Sequence, residues 1–285
     1  RVIMARIESI RKLLRRWFWS IPFFVIVGLA LGALISILVI PTPIIVTITI
    51  SGPILNQDYV DDILDMMQYA RDNNNVKAVV LRVDSPGGGA SATEQIYLDL
   101  LRLRQQKPVV ASIGPIAASG GYYVAVAANF IYAEPTSQIG SIGAFVSLPQ
   151  PEELDEDVGT TGPFKAIGHS RRKAMGHLEM VRQEFVEAVV TQRGERLELS
   201  EAELSRAELH VGVESLRYGL IDDIGTRTDA IEKAASLAGL RNYGSVELQM
   251  TTQPSIWVFG ASDLEALKMQ TGLVPEYYFL YFEPR

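Results

Sequence analysis

Val76-Lys77-Ala78-Val79-Val80-Leu81-Arg82-Val83-Asp84-Ser85-Pro86-Gly87-Gly88-Gly89 is the stretch on which the fold turns. Its first half is β-branched and aliphatic. The unbroken apolar centre from Ala78 to Leu81 suits a strand buried on both faces of a parallel sheet. Its second half cannot continue that strand, because Pro86 lacks an N–H and three glycines follow. Helical spacing flanks it on both sides, with Tyr59, Val60, Ile63, Leu64, Met67 and Ala70 before it and Thr93 to Gln106 after it. A β-branched strand from Ile44 to Ile50 comes earlier. Strands at Pro108–Ile113 and Phe130–Ala133 come later, and a helix begins near Ser119. Strands alternating with helices predict an α/β domain with right-handed crossovers.

Further along, the acidic run Glu152, Glu153, Asp155, Glu156 and Asp157 reads as a solvated loop or short surface helix. Phe164 to Ile167 is expected as a short strand and Ala174 to Gln192 as a long helix ended by Gly194. Ser200-Glu201-Ala202-Glu203 is a capping-box signature. Gly219 to Gly225 reads as a short strand and turn, and Thr228 to Leu237 as a helix. The chain after residue 241 is poorly patterned. Its aromatic cluster, Tyr277, Tyr278, Phe279, Tyr281 and Phe282, reads as a packed edge strand, with a contact to a neighbouring protomer as the second choice.

Charge divides the chain unevenly. The first sixteen residues carry Arg1, Arg6, Arg11, Lys12, Arg15 and Arg16 against Glu8, and no charged residue follows until Asp58. Inside that gap, Phe18 to Ile40 is a run of 23 uncharged residues, long enough for a bilayer core of about 20. A cleaved leader would have an apolar run of about 7–15 residues and a small-x-small site. This run ends instead in Ile40-Pro41-Thr42-Pro43. It is therefore expected to be an uncleaved membrane anchor with a cytoplasmic N-terminus and everything after residue 43 outside. Trp17 and Trp19 are expected at the cytoplasmic interface. The net charge of −7 disfavours a nucleic-acid partner. With no cysteine, disulfides, thiolate catalysis and cysteine-held zinc are excluded, and three histidines disfavour a metal site. No cofactor or metal is expected. The expected division is a basic segment 1–16, an anchor and hinge 17–43, an α/β domain 44–240 and an extension 241–285.

Two glycine-rich junctions carry chemistry. At Ser85-Pro86-Gly87-Gly88-Gly89 a strand meets a helix, and glycines let backbone N–H groups face a ligand. Such fixed donors suit a developing oxyanion, although the same residues also suit an ordinary turn. At Ala117-Ala118-Ser119-Gly120-Gly121-Tyr122-Tyr123, small residues leave a hydroxyl accessible where a helix starts. Ser119 is a candidate nucleophile there, or simply an N-cap. A third motif, Gly140-Ser141-Ile142-Gly143, places another hydroxyl after the next strand.

In order and spacing, Ser85-Pro86-Gly87-Gly88, Ala118-Ser119-Gly120-Gly121-Tyr122-Tyr123, Gly140-Ser141-Ile142-Gly143 and Gly219-Leu220-Ile221-Asp222-Asp223-Ile224-Gly225 resemble the signatures of the signal peptide peptidase A family. The resemblance covers roughly residues 44–238. It implies the ClpP/crotonase-like spiral of ββα units, here preceded by one N-terminal transmembrane helix. It implies a membrane-anchored endopeptidase acting on signal peptides or other membrane-derived peptides, assembled as a homo-oligomeric ring. It further implies a Ser–Lys dyad in which Ser119 attacks, Gly88 and Gly120 supply oxyanion donors, and Ser141 orients the lysine. A lysine that acts as base must lose its proton near neutrality, far below its usual value of about 10.4, so it needs an apolar, desolvated setting. The family's Gly-x-x-Lys pattern fits Thr161-Gly162-Pro163-Phe164-Lys165, with Phe164 and Ile167 as expected cover for the amine. The stretch after Lys165 is shorter than the family's. Lys173 and His169 therefore stay open as alternative bases, and so does the absence of any base. An inactive ring-forming scaffold is the rival reading, and a crotonase-type acyl-CoA enzyme is a distant third.

Overall fold

The computed structural model describes residues 17, 21–32, 42–148, 161–162, 164–165 and 168–248, and the backbone of 277–280. It divides into two units, Arg1–Thr42 and Pro43–Arg285. In the first, residues 21–32 form helix α1, whose side chains are exposed. No helix among the described residues is long and apolar enough to cross a membrane. The remainder of the expected anchor lies outside the described residues, as do the acidic run 152–157 and Ile167.

The second unit is built on a sheet of eight strands. In chain order its elements are β1 (Ile44–Ser51), α2 (Gln57–Asp72), β2 (Val76–Ser85), β3 (Gly87–Gly89), α3 (Ala90–Arg104), β4 (Val109–Ala118), α4 (Gly120–Ala125), β5 (Phe130–Ala133), β6 (Gln138–Gly140) and β7 (Phe145–Val146). Then come α5 (Arg171–Arg193), α6 (Glu201–Leu204), β8 (Leu209–Val211), α7 (Gly212–Arg217), β9 (Asp223–Ile224), α8 (Arg227–Leu237), β10 (Gly244–Glu247) and β11 (Tyr277–Leu280). The main path β10-β1-β2-β4-β5-β9 is parallel throughout. The sheet thus continues past residue 240, because β10 hydrogen-bonds the edge that β1 would otherwise expose.

Strand alternation sends side chains to two cores. Val46, Ile48 and Ile50 of β1 join Val79, Leu81 and Val83 of β2 in the larger cluster, with Ile63 and Met67 of α2, Ile96 and Leu100 of α3 and Phe185 of α5. Ile45, Ala78, Val80 and Val110 face the other way, onto Ala230, Ala234 and Ala235 of α8. Helix α2 begins where the Asn56 side chain accepts the Asp58 N–H, and it buries Tyr59, Val60, Ile63, Met66, Met67 and Ala70, one helical face. The Ser200–Glu203 capping box is present at the start of α6.

Two expectations differ from the structure. Phe164 and Lys165 form a turn, not a strand. The Lys165 N–H donates to the Gly162 carbonyl at 3.1 Å and the Gly168 N–H to the Phe164 carbonyl at 2.7 Å. Local bonds to the Gly162 carbonyl and from the Gly168 N–H thus serve a backbone for which no partner strand is paired among the described residues. The aromatic tail is a strand, as expected, but it is not at an edge. β11 lies between β3 and β7 and is antiparallel to both, in a separate three-stranded sheet.

Candidate active site

β4 ends at Ala118, where residues 116–118 pair with Gln138 to Gly140 of β6, and each of the two strands is followed at once by a serine. Both serines are left-handed, Ser119 with φ 51° and Ser141 with φ 52°. L-residues other than Asn and Asp avoid this region, so the backbone holds each serine in a strained turn. The Ser119 N–H donates to the Gly140 carbonyl at 2.8 Å, and the Ser141 N–H to the Glu208 carbonyl at 2.9 Å. These bonds fix the turns from outside. Ser119 and Ser141 are therefore brought to the same end of two adjacent strands.

Ser119 occupies the N-cap position of α4, yet its side chain makes no capping bond. Its hydroxyl instead lies 3.5 Å from the Gly143 carbonyl, too long for a strong hydrogen bond. The residue is 2% exposed. Among the described residues the hydroxyl has that long contact and no other, on a strained strand-to-helix turn, a setting compatible with a nucleophilic serine. The next residue, Gly120, opens α4, so its N–H belongs to the first turn and has no carbonyl within the helix to meet.

β3, which carries Gly88, packs against α4. The Ile54 N–H donates to the Gly87 carbonyl at 2.8 Å, and the Gly89 N–H to the Ile54 carbonyl at 2.9 Å. Backbone groups alternate along an extended strand, so Gly88 turns its own N–H and carbonyl to the opposite edge. A Cβ on Gly88 would overlap the Ile54 carbonyl, and one on Gly121 would overlap the Ser85 carbonyl. The first absence lets β3 lie against Ile54, and the second lets α4 lie against the end of β2. Ser85, buried, clasps the turn by donating from its hydroxyl to the Gly52 carbonyl at 2.7 Å and accepting the Gly87 N–H at 3.1 Å. At the same strand end, burial holds the Asp84 carboxyl above its ordinary range, partly offset by Arg82 and by the Ile116 N–H.

The family model described as peptidase family S49 matches residues 102–241, and one described as Clp protease matches residues 45–140. A protein of Synechocystis sp. named "Putative protease slr0021" is 33% identical over 224 residues, covering 72% of this chain and 80% of that protein. The chain belongs to peptidase family S49. The S49 relatives also include Protease 4 of Haemophilus influenzae, 32% identical over 202 residues, covering 66% of this chain and 32% of that protein. This chain therefore spans about a third of the length of that relative. A solved structure of a serine-to-alanine mutant of the "1510-N membrane-bound stomatin-specific protease" superposes with a TM-score of 0.52 at 18% identity, over 74% of this chain and all of that one. That likeness speaks for the fold, a ClpP-like α/β sheet, which the S49 and Clp matches share.

The expected bases are placed differently from the serines. Lys165 and Lys173 are exposed, Phe164 beside Lys165 is 46% exposed, and among the described residues no lysine amine hydrogen-bonds the Ser119 hydroxyl. His169 stacks edge-on against His177 of α5, with ring centroids 5.1 Å apart. Tyr122 has a part that its sequence context alone does not assign. It is fully buried on α4, and its hydroxyl donates to the Leu220 carbonyl at 2.7 Å. The Gly219–Gly225 motif is tied by this bond to the helix that Ser119 begins. Only the tyrosine's spacing of three from Ser119, which puts it one helical turn away, hinted at this.

Proposed function

We propose that the chain is a membrane-anchored serine endopeptidase that cleaves signal peptides or other membrane-derived peptides, with Ser119 as nucleophile. The observation that carries this reading is the strained Ser119 turn, whose buried hydroxyl has, among the described residues, one long contact. The Ser119 hydroxyl attacks the scissile carbonyl, and the Gly88 and Gly120 N–H groups receive the charge that develops on its oxygen. A lysine amine takes the serine proton and returns it to the leaving amine. Water then releases the acyl-enzyme by the same route. Lys165 is assigned as that base, with Lys173 as its alternative, and Ser141 orients the amine. The apolar run Phe18 to Ile40 anchors the chain with its basic end in the cytoplasm, and protomers assemble as a homo-oligomer.

A second reading, an inactive scaffold of the same fold, is favoured by the exposure of Lys165 and Lys173. A fluorophosphonate probe separates the two. The peptidase labels, and labelling vanishes in Ser119→Ala. Lys165→Ala then removes cleavage while Lys173→Ala keeps most of it, and activity rises from neutral to mildly alkaline pH. A rise centred near pH 6.5, abolished by His169→Ala, would put the base on histidine. Failure of the wild type to label at any pH would leave the scaffold.

A further inference from the structure

Midway along, strand β4 loses its partners on both sides. Toward β2, Val83 pairs with Ile113 and Ser85 with Ala117, so Asp84 alone stands opposite Gly114, Pro115 and Ile116. On the other side, pairing with β5 ends at Ile113 opposite Ala133, and pairing with β6 starts at Ile116 opposite Gln138. Gly114 and Pro115 therefore stand in neither ladder, a bulge of the kind that re-aims a strand. Side chains take over there. The Asp84 carboxyl accepts the Ile116 N–H. The hydroxyl of buried Ser137 donates to the Gly114 carbonyl at 2.6 Å and accepts the Glu134 N–H at 3.1 Å. The Ser137 N–H donates to the Glu134 carbonyl at 3.1 Å and closes the turn that carries the chain from β5 to β6.

We propose that Ser137 is a positioning residue of the Ser119 site: its hydroxyl sets the register of β6 against β4, and through it the place of Gly140 and Ser141 beside Ser119. The inference rests on the reading of Ser119 as nucleophile. The path is short. β6 starts at the residue after Ser137 and pairs Gln138 with Ile116, Ile139 with Ala117 and Gly140 with Ala118. One residue further along the two strands stand Ser141 and Ser119, and the Ser119 N–H donates to the Gly140 carbonyl at 2.8 Å. A slip of one residue would turn the side chains of β6 to the opposite face and take Ser141 from the Ser119 turn. Three residues hold a register weakly by themselves. β8, the other strand paired with β6 among the described residues, is also three residues long. The Ser137 hydroxyl grips β4 and the turn at once. An alanine there would leave the Gly114 carbonyl and the Glu134 N–H without that partner. Ser137 thus acts through β6, not on the reacting atoms.

Amide exchange and kinetics of the full chain test this together. Exchange is followed in Ser119→Ala, so that cleavage plays no part, alone and combined with Ser137→Ala or Ser137→Thr. Ser137→Ala is expected to speed exchange at the amide of position 119 by at least about tenfold relative to the core amides of Val46 and Val79. Ser137→Thr keeps the hydroxyl and is expected to leave that exchange as in the parent. With Ser119 present, Ser137→Ala is expected to lower kcat on a reporter peptide by at least about tenfold at unchanged KM, and Ser137→Thr to restore it. Should Ser137→Ala not fold, Ser137→Cys carries the same comparison with a weaker donor. A lower urea midpoint with unchanged relative exchange at position 119 overturns the proposal, as does a kcat per folded molecule equal to that of the parent. Faster exchange at position 119, in a chain whose parent neither labels with a fluorophosphonate nor cleaves, supports the Ser137 clasp and sinks the nucleophile reading instead.

Discussion

The Ser119 turn and the Gly219–Gly225 loop are both glycine-rich family motifs, and they treat their polar groups in opposite ways. At Asp222 every available partner is engaged. Arg193, itself 2% exposed, gives two hydrogen bonds of 3.0 Å to the carboxylate, Arg196 gives one of 2.7 Å, and the Ile131 N–H gives one of 2.8 Å. The carboxylate side chain is only 5% exposed, so four charge-assisted bonds offset its desolvation. At Ser119 the backbone is strained, and among the described residues the hydroxyl has one 3.5 Å contact. Tyr122 joins the two regions through the Leu220 carbonyl. The difference shows where the molecule keeps its rigidity. The loop with satisfied groups holds the helix, and the turn with unsatisfied ones begins it.

Substitutions should separate the two regions by what they damage. Ser119→Ala is expected to lower peptide cleavage by at least about 10³-fold while moving folding stability by less than about 1 kcal/mol, read by urea denaturation. Asp222→Ala should do the reverse. It leaves buried Arg193 without its counter-charge and should cost about 3–5 kcal/mol of stability, with activity per folded molecule largely kept at low temperature. If Asp222→Ala is no less stable than wild type, the contrast collapses. Tyr122→Phe sits between them. It strands a buried carbonyl and should cost about 1–2 kcal/mol, and a cost near zero would mean that the bond does not brace α4.

The smallest effect is a pH limb. Burial raises the phenols of Tyr122 and Tyr59, Tyr59 to about 12 with its hydroxyl clasped by the Ser51 backbone. An acid whose folded pKa is raised gives its full stability below the unfolded value, about 10 for tyrosine, and loses it as pH climbs toward the folded value. The urea midpoint should therefore fall as pH rises above about 10. Tyr122→Phe and Tyr59→Phe should each flatten part of that fall.

The sequence displayed the sheet's interior well, because β1, β2, β4 and β5 are apolar runs and α2, α3 and α8 repeat at helical spacing. The glycines at 87–89 and 120–121 and Ser119 of the candidate site stood out as well, since special backbone geometry and close approach leave a residue signature. β3, β6 and β7 were not legible. Two or three residues carry no period, and these strands exist only through partners distant in the chain. Phe164 looked like a strand because aromatic and β-branched neighbours suggest one, yet the Lys165 N–H bond to the Gly162 carbonyl and the Gly168 N–H bond to the Phe164 carbonyl make a turn. The central place of β11 was hidden too. Composition marked Tyr277 to Leu280 as a strand, but its two partners lie more than a hundred residues away in sequence.

Gly88 and Gly121 have no room for a methyl group, since carbonyls of Ile54 and Ser85 fill the space. Every non-synonymous single-base change in a glycine codon either adds a side chain or ends the protein. A lineage therefore has no amino-acid change at these two codons that the fold takes without shifting backbone, although neither residue has a side chain to react. A saturation scan scored by activity alone would rank them beside Ser119. A parallel score of folded protein would separate a position that fails because a side chain displaces backbone from one that fails for want of a hydroxyl.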